Sequence, residues 1–141
     1  MRRLAASLFA ILAAATALLA SGAPAQAATP SCTVSYLVVN QWSGGFEAQI
    51  IVGYSGFQQA FGWTLSFDFT STGQRIATVW TGNWSQSGEH VTVSSSQSAY
   101  SGMVPGSGSV SLGFIGTDTG LNPPPDNFTF DGVPCSTAAP Q

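Results

Sequence analysis

The sequence is poor in charge. Its 141 residues hold three basic and six acidic residues, and two of the basic ones, Arg2 and Arg3, lie at the start. From residue 28 onward there is no lysine, and one arginine, Arg75, against six acidic residues leaves a formal charge of −5. Nucleic acids and anionic membrane surfaces are bound by clusters of cations. The composition therefore argues against both and favours a neutral, hydroxyl-covered ligand.

Cysteine and histidine are also scarce. Two thiols, Cys32 and Cys135, and one imidazole, His90, make a poor ligand set for a metal ion. The cysteines lie near the two ends of the segment 28–141, which predicts a disulfide between the N-terminal and C-terminal ends of that segment. We expect no metal and no cofactor.

The start of the chain is typical of an export signal. Two arginines precede the apolar run "LAASLFAILAAATALL", and Ala25, Gln26 and Ala27 form a small-residue cleavage site. We predict a signal peptide over 1–27 and a secreted, extracellular protein. The remainder, 28–141, is predicted to be one domain with its core over 32–135. The tail, 136–141, resembles the opening of a Pro/Thr linker.

No segment after the signal peptide has a helical apolar stripe, whereas several alternate with a period of two. In "WTLSFDF", residues 63–69, every second residue is large and apolar, and "FEAQIIVGY", residues 46–54, repeats the pattern. Short turn sequences such as "SGG" and "NPPPD" separate these segments. The pattern predicts an all-β fold: an antiparallel β-sandwich of the jelly-roll or immunoglobulin-like kind.

The large aromatic residues divide by their position on the strands. Trp63 shares a face with three apolar residues and is predicted to be buried, whereas Trp42 adjoins a glycine turn. The orientation of Trp80 stays open: it faces outward if Ala77 and Val79 face inward, and inward if Ile76 does. Trp84 is equally ambiguous, and Tyr100 lies among small residues. Three aromatic residues in or beside turns, Trp42, Trp80 and Tyr100, indicate a binding face.

Catalysis has little support. Glycoside hydrolysis needs two facing carboxyl groups, and the spacing of the six acidic residues pairs none of them. A serine hydrolase triad has little support from the one histidine, His90, at the start of a strand. A copper-dependent oxygenase would need a histidine at the mature N-terminus and a second one. We therefore predict no catalytic residues.

Six segments together resemble a known family. They are "NQWSGGFEAQIIV", "FGWTLSFDF", "TGQRIATVW", "SQSGEHVTV", "MVPGSGSVSLGFIG" and "PDNFTFDGVPC". In order and spacing they resemble the bacterial family 2 carbohydrate-binding module, the cellulose-binding type, from Cys32 to Cys135. The resemblance implies a β-sandwich with disulfide-linked ends, a buried Trp63 and a flat aromatic face. The substrate-binding residues that it implies are Trp42, Trp80, Tyr100, Asn40, Gln49 and Asn122.

The sequence also departs from the family at the expected face. Tyr100 replaces a common tryptophan, Thr78 a frequent glutamine and Ile115 a frequent asparagine, and Trp84, where a smaller residue is usual, is expected to pack in the core or at its rim. Coplanar rings would suit crystalline cellulose, and rotated rings a single chain such as xylan. We predict a monomeric, non-catalytic module that binds cellulose, with chitin or xylan as alternatives. A structural or adhesive cell-surface protein is the alternative from another class.

Overall fold

The computed structural model describes residues 21–26, 28–57, 62–95 and 106–139. None of these residues lies in a helix long and apolar enough to span a bilayer. The described residues form ten strands, which confirms the all-β prediction. The strands are β1 Ser31–Trp42, β2 Gly45–Phe57, β3 Thr64–Asp68, β4 Arg75–Trp80, β5 Asn83–Ser87, β6 His90–Ser94, β7 Gly106–Thr117, β8 Asp126–Phe130, β9 Val133–Pro134 and β10 Ser136–Ala138.

The strands form two sheets of five. The first sheet has the order β10-β1-β2-β7-β4 and the second the order β5-β6-β3-β8-β9. Neighbouring strands run antiparallel except β1 and β10, which are parallel. The predicted β-sandwich is thus confirmed, with one parallel edge in the first sheet.

The core lies between the sheets and follows the alternation seen in the sequence. Each strand directs every second side chain inward, so the apolar residues of 46–54 and 63–69 meet across the sandwich. Phe67 of β3 stacks on Phe114 of β7 with ring centroids 6.4 Å apart, and Phe46 of β2 meets Phe69 edge to face. The largest fully buried apolar side chains come from both sheets: Phe46, Phe67, Phe114, Phe130, Ile50 and Leu65.

Two tryptophans contribute to this core. Trp63 is 5% exposed, as predicted, and it stacks on Phe130. Trp84 of β5 is half-buried, with its ring centroid 5.4 Å from that of Phe114, and its Nε1 donates a hydrogen bond to the carbonyl of Thr81. The prediction that Trp84 packs in the core or at its rim is confirmed.

A disulfide joins the N-terminal and C-terminal parts of the domain. Cys32 on β1 and Cys135 form a disulfide across a sequence separation of 103 residues, as predicted. In the chain-entropy model, closing such a loop stabilises the fold by roughly 4–5 kcal/mol. The chain continues past Cys135 into β10, which pairs with β1. Ser136–Ala138 are therefore part of the first sheet rather than the start of a linker, because the disulfide holds them beside the open edge of β1.

Candidate functional site

Trp42 reaches the outer face of the first sheet because of an irregularity in β1. Before it, the even-numbered residues of β1 face inward, and regular alternation would turn Trp42 inward as well. A β-bulge between Val38 and Asn40 inserts one unpaired residue and reverses the parity. Trp42 then pairs with Gly45 and is 45% exposed.

Trp80 is placed outward by a second bulge of the same kind. The register shifts between Ile76 and Thr78 on β4, so Ile76 packs against the core while Trp80 pairs with Gly113 on the outer face. Trp80 is also 45% exposed. Each of the two orientations left open by the sequence is therefore half right, since Ile76 faces inward and Trp80 faces outward.

Both indoles lie over a glycine of the neighbouring strand. A Cβ added to Gly45 would stand 2.6 Å from Nε1 of Trp42, and a Cβ added to Gly113 would stand 2.9 Å from Nε1 of Trp80. In both cases the same edge of the indole, Nε1, Cε2 and Cζ2, meets the glycine. Neither glycine has a positive φ, so the missing side chain matters here for space. The glycines let the rings lie close against the sheet.

The strand pairings place both rings on one side of the sandwich. Gly45 and Gln49 are on β2, and Gly113 of β7 pairs with Gln49. The two glycines under the rings are therefore about four residues, or roughly 13 Å, apart along the strands and one strand apart sideways. We call the outer surface of the first sheet from Trp42 to Trp80 the tryptophan face.

Polar side chains lie between the rings. Asn40 and Gln49 are exposed on the tryptophan face, and Gln49 Nε2 donates to Ser111 Oγ at 3.5 Å. Asn40 Oδ1 accepts a hydrogen bond from the backbone N–H of Gln41. A depression of about 340 Å³ beside Trp80 is lined by both Gln49 and Ser111, which supply hydrogen-bonding groups next to the ring.

The departures from the family pattern fall in the same strip. Asn40, Glu47, Ile115 and Thr78 form one cross-strand row between the row of Trp42 and the row of Trp80. At Ile115 and Thr78, where the resemblance implies an amide, the chain has a branched aliphatic side chain and a short hydroxyl. This chain therefore offers fewer hydrogen-bonding groups between its tryptophans.

Of the other two predicted site residues, one lies in a loop and one lies outside the described residues. Asn122 lies in the connection between β7 and β8, where its Oδ1 accepts a hydrogen bond from the buried Gln74 at 2.9 Å. Its Nδ2 is buried and has no partner among the described residues. Tyr100 lies outside the described residues. Its role on the face, like that of Asn122, stays a prediction.

Charge is sparse on the tryptophan face. Its row of Trp42 ends in Arg75, whose Nη1 donates to the carbonyls of Thr72 and Gln74 at 2.9 and 2.8 Å. Glu47 is the acidic member of the next row. The guanidinium is held by its own turn, so the face presents rings and amides with a balanced pair of charges.

The second sheet holds a polar cluster on its outer face. His90 Nδ1 and Asp68 Oδ1 are 2.6 Å apart, and Asn127 donates to the other oxygen of Asp68. The hydrogen bond with His90 and then that from Asn127 lower the pKa of Asp68. Within the described part of the chain, no group of three or more His, Cys, Asp or Glu side chains could hold a metal ion.

Sequence reasoning missed the exposed aliphatic residues of the first sheet, Leu37 and Ile51 among them. Leu37 and Ile51 are 37% and 43% exposed on the outer face of the first sheet. The alternation in 46–54 could have found Ile51, because it is apolar at a position whose neighbours in the outward register, Gln49 and Gly53, are not large and apolar. Gly113 could not be singled out, since its role depends on a ring from another strand.

Comparison with known proteins covers nearly all of the described sandwich. Residues 32–135 match the model of the family described as the cellulose binding domain. Endoglucanase CelA of Streptomyces lividans is 40% identical over 116 residues, which cover 82% of this chain and 24% of the enzyme. Exoglucanase A of Cellulomonas fimi is 40% identical over 118 residues, covering 83% and 13%. The chain thus spans a quarter or less of the curated enzymes it matches.

Solved structures agree with these relatives. The chitin-binding domain of Chi18aC from Streptomyces coelicolor superposes with a TM-score of 0.59 at 30% identity, covering 74% of this chain and 94% of that domain. The cellulose-binding family 2 carbohydrate binding domain of ScLPMO10C has a TM-score of 0.56 at 33% identity, covering 74% and 98%. By sequence, by its disulfide-closed sandwich and by its tryptophan face, the chain belongs to the cellulose-binding domain family of non-catalytic carbohydrate-binding modules.

Proposed function

We propose that the chain is a secreted module that adsorbs to an insoluble β-1,4-glucan, cellulose above all. The observation that carries this proposal is the pair of half-exposed indoles, Trp42 and Trp80, lying on glycines on one face of a rigid sheet. Two large rings exposed on one face are expected to serve binding, since exposed apolar patches mark interaction sites.

The chemistry of the ligand explains why rings are used. A β-linked glucose ring presents C–H groups on its faces and hydroxyl groups at its edges, so an indole covers the apolar face while amides meet the hydroxyls. If each indole removes about 100 Å² of apolar surface from water, the gross gain is about 2.5 kcal/mol per ring. Association costs several kcal/mol, so useful affinity needs both rings together with polar contacts from Asn40 and Gln49.

The placement of the rings supports an insoluble ligand. Two half-exposed indoles held on one sheet give apolar contacts at two separate places, and a layer of sugar rings can meet both at once. Chitin, a related insoluble polymer, is the next candidate, because one of the similar structures is named as a chitin-binding domain. Xylan, which forms soluble chains, is expected to bind most weakly.

The proposal includes the parts of the prediction that lie beyond the two rings. Residues 1–27 are proposed to direct export and to be removed, leaving 28–141 as an extracellular monomer. Tyr100 is proposed as a third stacking ring and Asn122 as a further polar contact. Tyr100→Ala is then expected to weaken adsorption to cellulose, whereas it would have no effect if Trp42 and Trp80 formed the whole site.

Adsorption to solid polysaccharides tests the proposal. Residues 28–141 should bind microcrystalline cellulose, bind chitin less tightly and bind xylan least. The Trp42→Ala/Trp80→Ala variant should lose adsorption. A matched control, Ser85→Ala/Thr92→Ala, changes two outward residues of the second sheet and should adsorb like the wild type. Full adsorption by the tryptophan variant would overturn the proposal and favour a structural or adhesive protein that binds by another surface.

A further inference from the structure

The apolar surface of the first sheet extends beyond the tryptophans. A groove of about 370 Å³ lies on the outer face over β10, β1 and β2. Leu37 and Ile51 line it, Ala138 borders it on the side of β10, and Ser35 and Gln49 add polar groups. We call this depression the flanking groove. None of its lining residues is charged.

The flanking groove is continuous with the tryptophan face. Leu37 pairs with Gln49, which pairs with Gly113, which in turn pairs with Trp80, so one cross-strand row leads from the groove to the ring. Ile51 follows on β2 in the same outward register. The two surfaces are therefore parts of one uncharged outer face.

The groove nevertheless lies to one side of the line that joins the two rings. The glycines under the indoles belong to β2 and β7, and a polysaccharide chain stacked on both rings runs over these two strands. The groove is centred on β1 and its neighbours, roughly 5–10 Å to the side at a strand spacing of about 4.8 Å. A single chain that covers both rings does not also fill the groove.

We propose that the flanking groove contacts a second chain of the same polysaccharide, lying beside the chain that stacks on the tryptophans. The inference rests on the proposed function. It follows from the continuity of the two surfaces, from their shared lack of charge, and from the sideways offset that a neighbouring chain of an ordered array would match. The groove thereby selects packed chains over single soluble ones.

A pair of variants separates this role from simple loss of structure. Leu37→Ser/Ile51→Ser makes the groove polar, whereas Leu37→Met/Ile51→Val keeps it apolar at the same positions. Adsorption to microcrystalline cellulose should weaken about tenfold for the serine pair, which corresponds to about 1.4 kcal/mol, and less than about twofold for the conservative pair. Soluble hydroxyethylcellulose has substituted chains that do not pack side by side. In gel electrophoresis, this polymer should slow the migration of both variants to the same extent.

Each other result overturns the proposal in an identifiable way. Unchanged adsorption of the serine pair means that the groove contacts nothing in the array, and equal losses on the soluble polymer place it in the single-chain site. Sedimentation that shows a wild-type dimer and a monomeric serine pair assigns the groove to a second copy of this chain. If the serine pair melts early, Ile51→Thr alone, a residue well tolerated on strands, repeats the comparison.

The same experiment distinguishes this inference from the proposed function. If Trp42→Ala/Trp80→Ala loses adsorption while the serine pair keeps it, the flanking groove alone is wrong. If the tryptophan variant keeps adsorption, the proposed function itself fails.

Discussion

The two sheets of the sandwich share an apolar inner side but have opposite outer sides. On the first sheet the outward positions include Trp42, Trp80, Leu37 and Ile51, all more than a third exposed. On the second sheet they carry short hydroxyls and the polar cluster of Asp68 and His90. One cross-strand row there consists of Thr129, Ser66, Thr92 and Ser85.

This difference supports the proposal that the first sheet carries the binding face. Within the hydroxyl row, Ser66 and Thr129 hydrogen-bond to each other at 2.6 Å, so these polar groups are satisfied within the sheet itself. Exposed tryptophan and isoleucine side chains keep apolar surface in water, which is unfavourable unless a partner covers it. Apart from the bulges that turn Trp42 and Trp80 outward, both sheets follow the same alternation, so the residues at the outward positions distinguish the two outer faces.

The largest expected effect is the loss of adsorption when a tryptophan of the first sheet is removed. Trp42→Ala and Trp80→Ala should each weaken adsorption to cellulose about 30-fold, because each removes about 2 kcal/mol of apolar contact. Binding isotherms measure the loss, and unchanged melting temperatures show that folding is intact. A loss in one variant only would mean that the rings do not act as a pair.

A smaller effect is expected from the support beneath one ring. Gly113→Ala adds a methyl group 2.9 Å from Nε1 and Cε2 of Trp80, so the indole must tilt away, and adsorption should weaken about tenfold, or about 1.4 kcal/mol. Near-ultraviolet circular dichroism should change with the ring. Gly53→Ala, whose added Cβ has only Thr33 O at 3.9 Å, reports what a strand methyl does to the melting temperature. Wild-type adsorption by Gly113→Ala would show that the ring needs no such support.

A third prediction concerns the apolar core between the sheets, at Tyr36. Its hydroxyl is buried with no hydrogen-bond partner among the described residues, and burial raises the pKa of Tyr36. Tyr36→Phe removes the unpaired hydroxyl and should stabilise the protein by up to about 1 kcal/mol, or about 4 °C in melting temperature. A lower melting temperature would mean that the hydroxyl has a partner in solution, and adsorption should stay the same.

The smallest effect belongs to the second outer face. Hydrogen bonds lower the pKa of Asp68 in the folded protein, so its carboxylate contributes stability above the unfolded pKa of about 4 and loses it as the pH falls through the lowered value. The pair with His90 is solvated, so the contribution should be below about 0.5 kcal/mol. The melting temperature of Asp68→Asn should fall less steeply than that of the wild type as the pH drops below about 4. Its adsorption to cellulose should be normal. An identical dependence of melting temperature on pH in the variant and the wild type would show that the pair does not stabilise the fold.

Much of the fold was predictable because its causes are local. The period-two pattern around Phe46 and Phe67 predicted strands and their inner sides, and Trp63 and the disulfide of Cys32 with Cys135 followed the prediction. The strand β10 was not predicted, because its three small residues carry no pattern of their own and become a strand only beside β1.

The orientation of the tryptophans shows where local patterns stop. Residues 75–80 allowed Trp80 to face either way, and the bulge that places it outward inserts one residue that no alternation rule expects. Likewise, nothing around Gly113 indicates that an indole from β4 rests on it. These features arise from pairing between strands that are distant in sequence.

The sequence by itself determined the β class, the apolar inner sides and the near absence of charge, since each depends only on residue type and spacing along one strand. Tertiary structure alone decided that Trp42 and Trp80 share a face, that glycines lie beneath them, and that an uncharged groove runs alongside. The physical reason is that the side on which a residue emerges depends on register and bulges, which are set by the packing of whole strands against one another.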